Sequence, residues 1–495
     1  MAKLLKLRPD DREFLRSVAE IAFANPFSSE RMEKIATLVP GWTLKELTRN
    51  RRLLAETVTS RLQPYASDGV ASLRQFAVPD RQLIEPALLY EVYIGVMPQF
   101  NRLIEEQVER RGPPIRVSFA DQALQQLVLR GLSDEQASRY FAFFFQLRRA
   151  FFFLERLLVG DSPSMQRLRC VLWNNVFTHN MRNYEHALWN RMEDFSTLLL
   201  GETGTGKGSA AAAIGRSGFI PYLVENRSFS VNFAESFISI NLSQFPESLI
   251  ESELFGHRKG AFTGAIGHHE GLFELCNPHG ALFLDEIGEV GVPVQIKLLQ
   301  VLQDRVFSPL GSHDKKRFAG RVIAATNRSL DEIRTAGRFR NDFFYRLCSD
   351  IITVPSLRQR IEEWPAELER LVSLLVERTT GETDQNLADQ VIETLRNDLP
   401  QDYKWPGNVR ELEQAVRRII LTGSYKGDYQ KSVATSEDKF LELVRAGSMT
   451  TDELVGRYCA MLHKRNPNYS DVANRAGLDR RTVRKHVLRF KSGVN

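Results

Sequence analysis

The sequence predicts a multidomain chain: a mostly helical N-terminal domain, an α/β core followed by a helical segment, and a C-terminal helix-turn-helix. Three observations predict it. Short apolar runs end in Gly201, in Asp285-Glu286 and in Thr326-Asn327, the pattern of buried parallel strands that deliver polar groups at their tips. The chain has 495 residues, 43% hydrophobic and 26% charged, an ordinary globular composition over a length that calls for two to four cores. Its basic character is concentrated at one end. Residues 464–495 hold nine Lys/Arg against two Asp, which leaves residues 1–463 slightly acidic within a net charge of +5.

Composition also excludes classes. Cys170, Cys276, Cys348 and Cys459 are scattered, which fits a reducing cytoplasm and not a disulfide framework. The N-terminus MAKLLKLRPDD is too charged for a signal peptide. The most apolar stretch, 141–158, is interrupted by Gln146, Arg148, Arg149, Glu155 and Arg156, so no membrane span or membrane partner is expected.

In chain order, residues 1–132 mix amphipathic helical runs such as 83–108 with breaks at Pro40-Gly41 and Gly112-Pro-Pro114. They lack repeats and the alternating strand and helix text of a phosphoreceiver domain. Residues 133–159 open on Ser133-Asp-Glu-Gln136, a capping box. Tyr140, Phe144, Leu147, Phe151, Leu154 and Leu158 then form a heptad seam, widened by Phe141, Phe145 and Phe152. Two readings stay open: a core helix, or a dimer-forming signal helix that links the N-terminal domain to the one that follows.

Residues 160–355 carry the α/β pattern. Phe195–Leu200 reads as a strand, Ser209–Ile214 as a helix, and Gly201, Glu202, Thr203, Gly204, Thr205, Gly206, Lys207, Gly208 between them as a P-loop. Glycines let backbone N–H groups turn onto phosphates, the helix N-terminus adds its positive end, and Lys207 reaches the β- and γ-phosphates of ATP. Gly208 stands where a Ser or Thr usually ligates Mg²⁺, with Ser209 as the adjacent hydroxyl. Asp285 is placed to orient Mg²⁺ and Glu286 to act as general base or water positioner. His268, His269, Cys276 and His279 match no standard zinc spacing. Residues 356–422 read helical and 423–450 as a polar linker. Residues 451–495 read helix, glycine turn at Gly477, basic helix. In the last helix Val483, Val487 and Phe490 share a face, while Arg480, Arg481, Thr482, Arg484 and Lys485 are candidates for the major groove of double-stranded DNA.

One hexapeptide is specific. Residues 260–265 spell GAFTGA, and with the P-loop and Asp285-Glu286 in this order the chain resembles the bacterial enhancer-binding proteins. These are AAA+ ATPases that activate sigma-54 RNA polymerase. The resemblance covers roughly residues 160–490. It implies an AAA+ P-loop core at 160–355 with a helical lid at 356–422, a sensory domain at 1–132 and a Fis-type DNA-binding tail. It implies that Gly260, Ala261, Phe262, Thr263, Gly264 and Ala265 touch sigma-54. Thr326 and Asn327 match sensor I, and Arg410, within Trp405–Leu412, matches sensor II. Asn241 is the implied switch partner of Glu286, and Arg340 and Arg346 are the implied fingers inserted into a neighbouring subunit. The family commonly has Glu at the place of Gly208, so the missing hydroxyl does not preclude activity. The expected assembly is a homo-oligomer, an inactive dimer or an active hexameric ring, tethered to upstream DNA while it remodels the sigma-54 holoenzyme. Two rivals are a remodeller of some other protein and a DNA-binding regulator in which nucleotide only switches assembly.

Overall fold

The computed structural model describes residues 4–39, 47–66, 69–110, 112–335, 339–427, 440, 443–444 and 447–491. They fall into two compact units, residues 1–394 with 401–423, and residues 395–400 with 424–495.

The first unit begins with helices α1 (Pro9–Phe23), α2 (Ser29–Leu38), α3 (Leu47–Leu62), α4 (Val78–Glu109), α5 (Ala120–Leu129) and α6 (Asp134–Leu157). Amphipathic spacing buries Leu15, Val18 and Ile21 of α1 in one cluster with Val58 of α3 and Ile84 and Leu88 of α4. Ser133 starts α6 with the expected capping box. Its Oγ accepts from Gln136 N at 3.2 Å, and Gln136 Oε1 accepts from Ser133 N at 3.0 Å. Beyond the cap most of α6 is buried, Gln146, Arg148 and Arg149 together with its apolar residues, which sets the helix inside the fold. Tyr140, Phe144, Phe151, Leu154 and Leu158 of the seam are all buried within the chain, so the seam is not held out to a second copy. Phe141 and Phe145 pack against Phe100 of α4 with ring centroids 5.2 and 5.4 Å apart, and Phe145 stacks on Phe229 at 4.1 Å. A single cluster thus runs from α4 through α6 to the sheet that follows.

After α7 (Pro163–Phe177) and the one-turn α8 (Met181–Asn183), the chain enters that sheet. Its strands and hairpins come in the order β1 (Thr197–Leu200), β2 (Tyr222–Leu223), β3 (Ser228–Phe229), β4 (Phe237–Asn241), β5 (Ala281–Asp285), β6 (Val306–Phe307), β7 (Lys316–Arg317), β8 (Arg321–Thr326) and β9 (Asp350–Thr353). Five of them form a parallel sheet in the order β4-β5-β8-β1-β9, while β2-β3 and β6-β7 are separate antiparallel pairs. Residues 197–200, 281–284 and 322–326 are buried throughout, as parallel strands covered by helices on both faces must be. Because all five strands point the same way, Gly201, Asn241, Asp285 and Asn327 emerge on one edge, where α/β folds bind ligands. The connecting helices are α9 (Lys207–Gly215), α10 (Glu247–Phe255), α11 (Leu272–Leu275), α12 (Val292–Asp304), α13 (Leu330–Thr335) and α14 (Asn341–Leu347). Helices α15 (Leu357–Glu363), α16 (Glu367–Thr380), α17 (Gln385–Asp398) and α18 (Asn408–Thr422) follow, the segment read as helical.

In the second unit, α19 (Thr451–Arg465), α20 (Tyr469–Ala476) and α21 (Arg480–Lys491) enclose Cys459, Val472, Val483 and Val487, each with no exposed surface. Gly477 ends α20 at φ +64°, the left-handed conformation glycine adopts without cost. Asp479 Oδ1 then accepts from Arg481 N (2.9 Å) and Thr482 N (3.0 Å), capping α21. The side chain of Phe490 and most of the expected linker lie outside the described residues.

Candidate nucleotide site and partner loop

The P-loop turns on two left-handed glycines, Gly204 (φ +79°) and Gly206 (φ +101°), before α9 begins at Lys207. Lys207 is only 6% exposed, and its Nζ donates to the carbonyls of Gly201 (2.8 Å) and Glu202 (3.1 Å). Burial pushes the ammonium below its usual pKa range, while the nearby Glu286 and Asp285 carboxylates pull it back up. Thr203, Gly204, Thr205, Gly206, Lys207, Gly208, Ser209, Asn241, Asp285, Glu286 and Arg410 line one cleft of about 390 Å³. Residues from four separate stretches of sequence therefore converge on a single cavity.

Each contributor is set by its local backbone. Asp285 ends β5 and accepts from Glu286 N through Oδ1 at 3.1 Å. Glu286 itself sits at φ +55°, a region where few residues other than glycine reside and where strain collects at functional sites. Asn241 stands opposite Asp285 in the β4–β5 register, and its Oδ1 accepts from Ser243 N (3.0 Å) and Ser243 Oγ (2.7 Å). Asn327, just beyond β8, is exposed and donates from Nδ2 to Thr203 Oγ1 at 3.4 Å, but it does not line the cleft. A Cβ added at Gly208 would meet only the Phe283 ring, at 3.9 Å, so a side chain is missing there for want of the residue and not for want of room. Mg²⁺ ordinarily keeps several waters and takes one or two carboxylates plus phosphate oxygens, a set that Asp285 and a triphosphate supply.

Arg340 and Arg346 do not line this cleft. Arg340, exposed, pairs with Asp342 at 2.8 Å, and Arg346 Nε donates to Leu302 O at 2.8 Å. Two fastenings went unread in the sequence. Asn408, fully buried at φ +53°, donates from Nδ2 to Glu202 Oε2 and to Thr203 O, both at 3.0 Å, and accepts from Leu357 N at 2.7 Å. It ties the start of α18 to the P-loop. Glu202, expected beside the phosphates, holds Asn408 and Arg358 (3.0 Å) instead. The Pro-Gly-Asn start of α18 was the available signal, since Asn is the residue that tolerates a left-handed turn and still bonds sideways. The second fastening is the buried Arg360–Glu367 pair, in which Glu367 Oε2 also accepts from Asp161 N at 2.8 Å.

The 260–265 loop is closed by Gly260 N donating to Ala265 O (2.9 Å) and Ala265 N to Phe262 O (3.0 Å). Phe262 is half-buried, its ring edge-on to His257 at 5.0 Å, and Ala261 rests on Gly311 of the β6–β7 hairpin. Gly260, Thr263 and Gly264 are exposed, and Ile266, which the sequence reading passed over, is 86% exposed. His268 contacts the His257 carbonyl, while Cys276 is buried with its thiol pushed up to about 12. Burial holds His279 below the ordinary histidine range, and no group of three or more metal-ligating side chains occurs among the described residues. In the second unit Arg480, Arg481, Arg484 and Lys485 are exposed along α21. The Thr482 hydroxyl donates to Asp479 and so serves the cap.

Comparison with known proteins agrees with this geometry. Residues 176–353 match the family described as Sigma-54 interaction domain. The transcriptional regulatory protein ZraR of Klebsiella oxytoca is 35% identical over 332 residues, 66% of this chain and 67% of that protein. A Nif-specific regulatory protein of Bradyrhizobium diazoefficiens is 37% identical over 284 residues, which is 57% of this chain but only 43% of its own length. Among solved structures, NtrX from Brucella abortus in complex with ATP covers 74% of this chain and 80% of its own, at 20% identity and a TM-score of 0.40, too loose to bear on the fold. No described helix is long and apolar enough to cross a membrane. The chain belongs to the family of sigma-54-dependent activators, and its central domain is an AAA+ ATPase.

Proposed function

We propose that this chain hydrolyses ATP at sites shared between neighbouring copies in a ring, and uses that work to drive the 260–265 loop against sigma-54 polymerase at a closed promoter. Its C-terminal helices hold the ring at upstream DNA. The observation that supports the shared site is the composition of the cleft. It gathers Lys207, Asp285, Glu286, Asn241 and Arg410, while Arg340 and Arg346 of the same chain lie outside it. Transfer of a phosphoryl group develops charge that a guanidinium neutralises, and a finger from a second copy makes hydrolysis depend on assembly.

Within one site, Lys207 and the backbone of residues 203–208 bind the phosphates. Asp285 holds Mg²⁺, which when bound neutralises phosphate charge. Glu286 orients water and takes its proton, Asn327 supports the loop through Thr203, and Arg410 connects the phosphates to the lid. Asn241 withdraws Glu286 from water until the site is filled. Thr263 and Phe262 carry the contact with sigma-54. Arg480, Arg481, Arg484 and Lys485 face the DNA major groove, with Thr482 fixing the start of their helix.

The decisive experiment mixes two inactive proteins. Glu286→Gln lacks the base but keeps its fingers, and Arg340→Ala/Arg346→Ala lacks fingers but keeps the base. Each alone should lose about a thousandfold in ATP turnover, and mixing should restore a measurable part of it. Failure of mixing to restore turnover, or full turnover by dilute isolated subunits, overturns the shared site. Transcription in vitro with sigma-54 polymerase, compared with and without ATP, tests the coupling to the promoter and separates this reading from a remodeller of another protein.

A further inference from the structure

The nucleotide cleft has two chemically distinct halves. One is polar, built from the P-loop, Asp285, Glu286 and Arg410. The other is apolar, with Leu157 at the end of α6, Leu158 and Val159 just past it, Met165 and Leu168 of α7, and Leu371 of α16 among its members. A triphosphate suits the first half and an aromatic base the second. The segment 158–162, which carries part of the apolar wall, belongs to no helix or strand, so no ladder of backbone bonds holds it.

Its backbone is held instead by two carboxylates about 200 residues further on. Glu367 has no exposed surface. Its Oε1 accepts from Arg360 Nε at 2.7 Å, and its Oε2 accepts from Asp161 N (2.8 Å) and Ser162 N (3.3 Å). Arg360 Nη2 donates in turn to Val159 O at 2.6 Å. Nearer the surface, Glu363 Oε2 accepts from Ser164 N at 2.6 Å and its Oε1 from Arg167 Nη2 at 2.7 Å. Gly160 lies at φ +123°, and a Cβ there would overlap both Glu367 Oε1 and Arg360 Nη2, so the clamp closes directly on the segment.

We propose that Glu367, acting through Arg360 and the backbone of 159–162, is a positioning residue for the base of the bound nucleotide, with Glu363 assisting at the rim. A buried ion pair adds little net stability over apolar groups of the same volume, so its worth here is the geometry it imposes. Both of its members spend hydrogen bonds on the segment that walls the apolar half, and a carboxylate accepting backbone N–H groups holds them more firmly than a neutral acceptor does. Releasing the clamp should therefore weaken a nucleotide through its base and spare a bare polyphosphate.

The test measures binding to the full chain by calorimetry for ATP and for inorganic triphosphate, which has neither base nor ribose. The inference rests on ATP occupying this cleft. An unaltered chain that binds neither ligand overturns that reading and this one with it, whereas a clamp that does not act shows only in the variants. Glu367→Gln should weaken ATP by roughly tenfold, the loss of one charge-assisted contact, and leave inorganic triphosphate within about twofold. Arg360→Met/Glu367→Leu removes the pair without stranding a buried charge. It should keep its resistance to denaturant yet weaken ATP as the single change does. Glu363→Gln, at a half-buried position, should weaken ATP by about threefold, again with triphosphate spared. Equal weakening of both ligands marks a merely structural role and overturns the proposal, as does unchanged ATP affinity in either folded variant at Glu367. Should neither of those fold, unchanged ATP affinity in Glu363→Gln overturns it.

Discussion

The stretch from Gly256 to Glu286 contains two regions built on opposite principles. At its C-terminal end, Ala281–Leu284 is buried on every residue and paired in register with β4 on one side and β8 on the other. At its N-terminal end, Gly260, Thr263, Gly264 and Ile266 stand in solvent, and the loop is closed by a few backbone hydrogen bonds and the edge of His257. A carboxylate that must meet water and metal within a fraction of an ångström needs the first kind of support. A contact that must travel needs the second, because segments with few buried contacts open at low free energy. The difference teaches that a rigid strand tip and a loosely held loop occupy separate ends of one segment, which under the proposed function divides position from movement.

The largest effect should come from breaking the rigid end. Glu286→Gln keeps the size of the side chain and the left-handed backbone but removes the base. ATP turnover should fall by about 10²–10⁴-fold, with ATP binding measured by equilibrium titration close to unchanged. If turnover stays within a few-fold of normal, Glu286 is not the base and the roles at the strand tip must be reassigned. Next in size is Leu284→Ala, in the same strand and with no exposed surface. It should cost about 2–5 kcal/mol by denaturant unfolding, the usual result of a cavity in a close-packed core. A loss under about 1 kcal/mol would show that the strand is less tightly supported than its burial states.

How much of this was legible in the sequence depends on how local the physics is. The capping box at Ser133, the strand tips at Leu200, Asp285 and Thr326, and the glycine turn at Gly477 were readable because each is fixed by neighbours within a few residues. So was the P-loop, where the chemistry of phosphate demands glycines at set spacing. Asn408 was not readable as a fastening, since its partners Glu202 and Leu357 are far from it in sequence and meet it only in the tertiary fold. The surroundings of α6 were hidden for the same reason. A stripe of Phe on a helix specifies burial but does not name the burying surface, and here the two sides are α4 and the motor.

The smallest effects belong to the exposed end, and they sharpen the comparison most. Thr263→Ala and Ile266→Ser remove groups that touch solvent, so each should change unfolding free energy by no more than about 0.5 kcal/mol. ATP turnover should remain within about twofold, because neither side chain lines the nucleotide cleft. What should fall is nucleotide-dependent retention of sigma-54, measured by co-sedimentation with an ATP analogue that is not cleaved. Thr263→Ala should reduce it strongly and Ile266→Ser less, since Ile266 lies just past the turn that Gly260 and Ala265 close. If either change lowers stability by several kcal/mol, the loop is structural. If both leave retention intact, the moving contact lies elsewhere, and the division between a fixed end and a travelling end fails at the loop while the strand tip keeps its role.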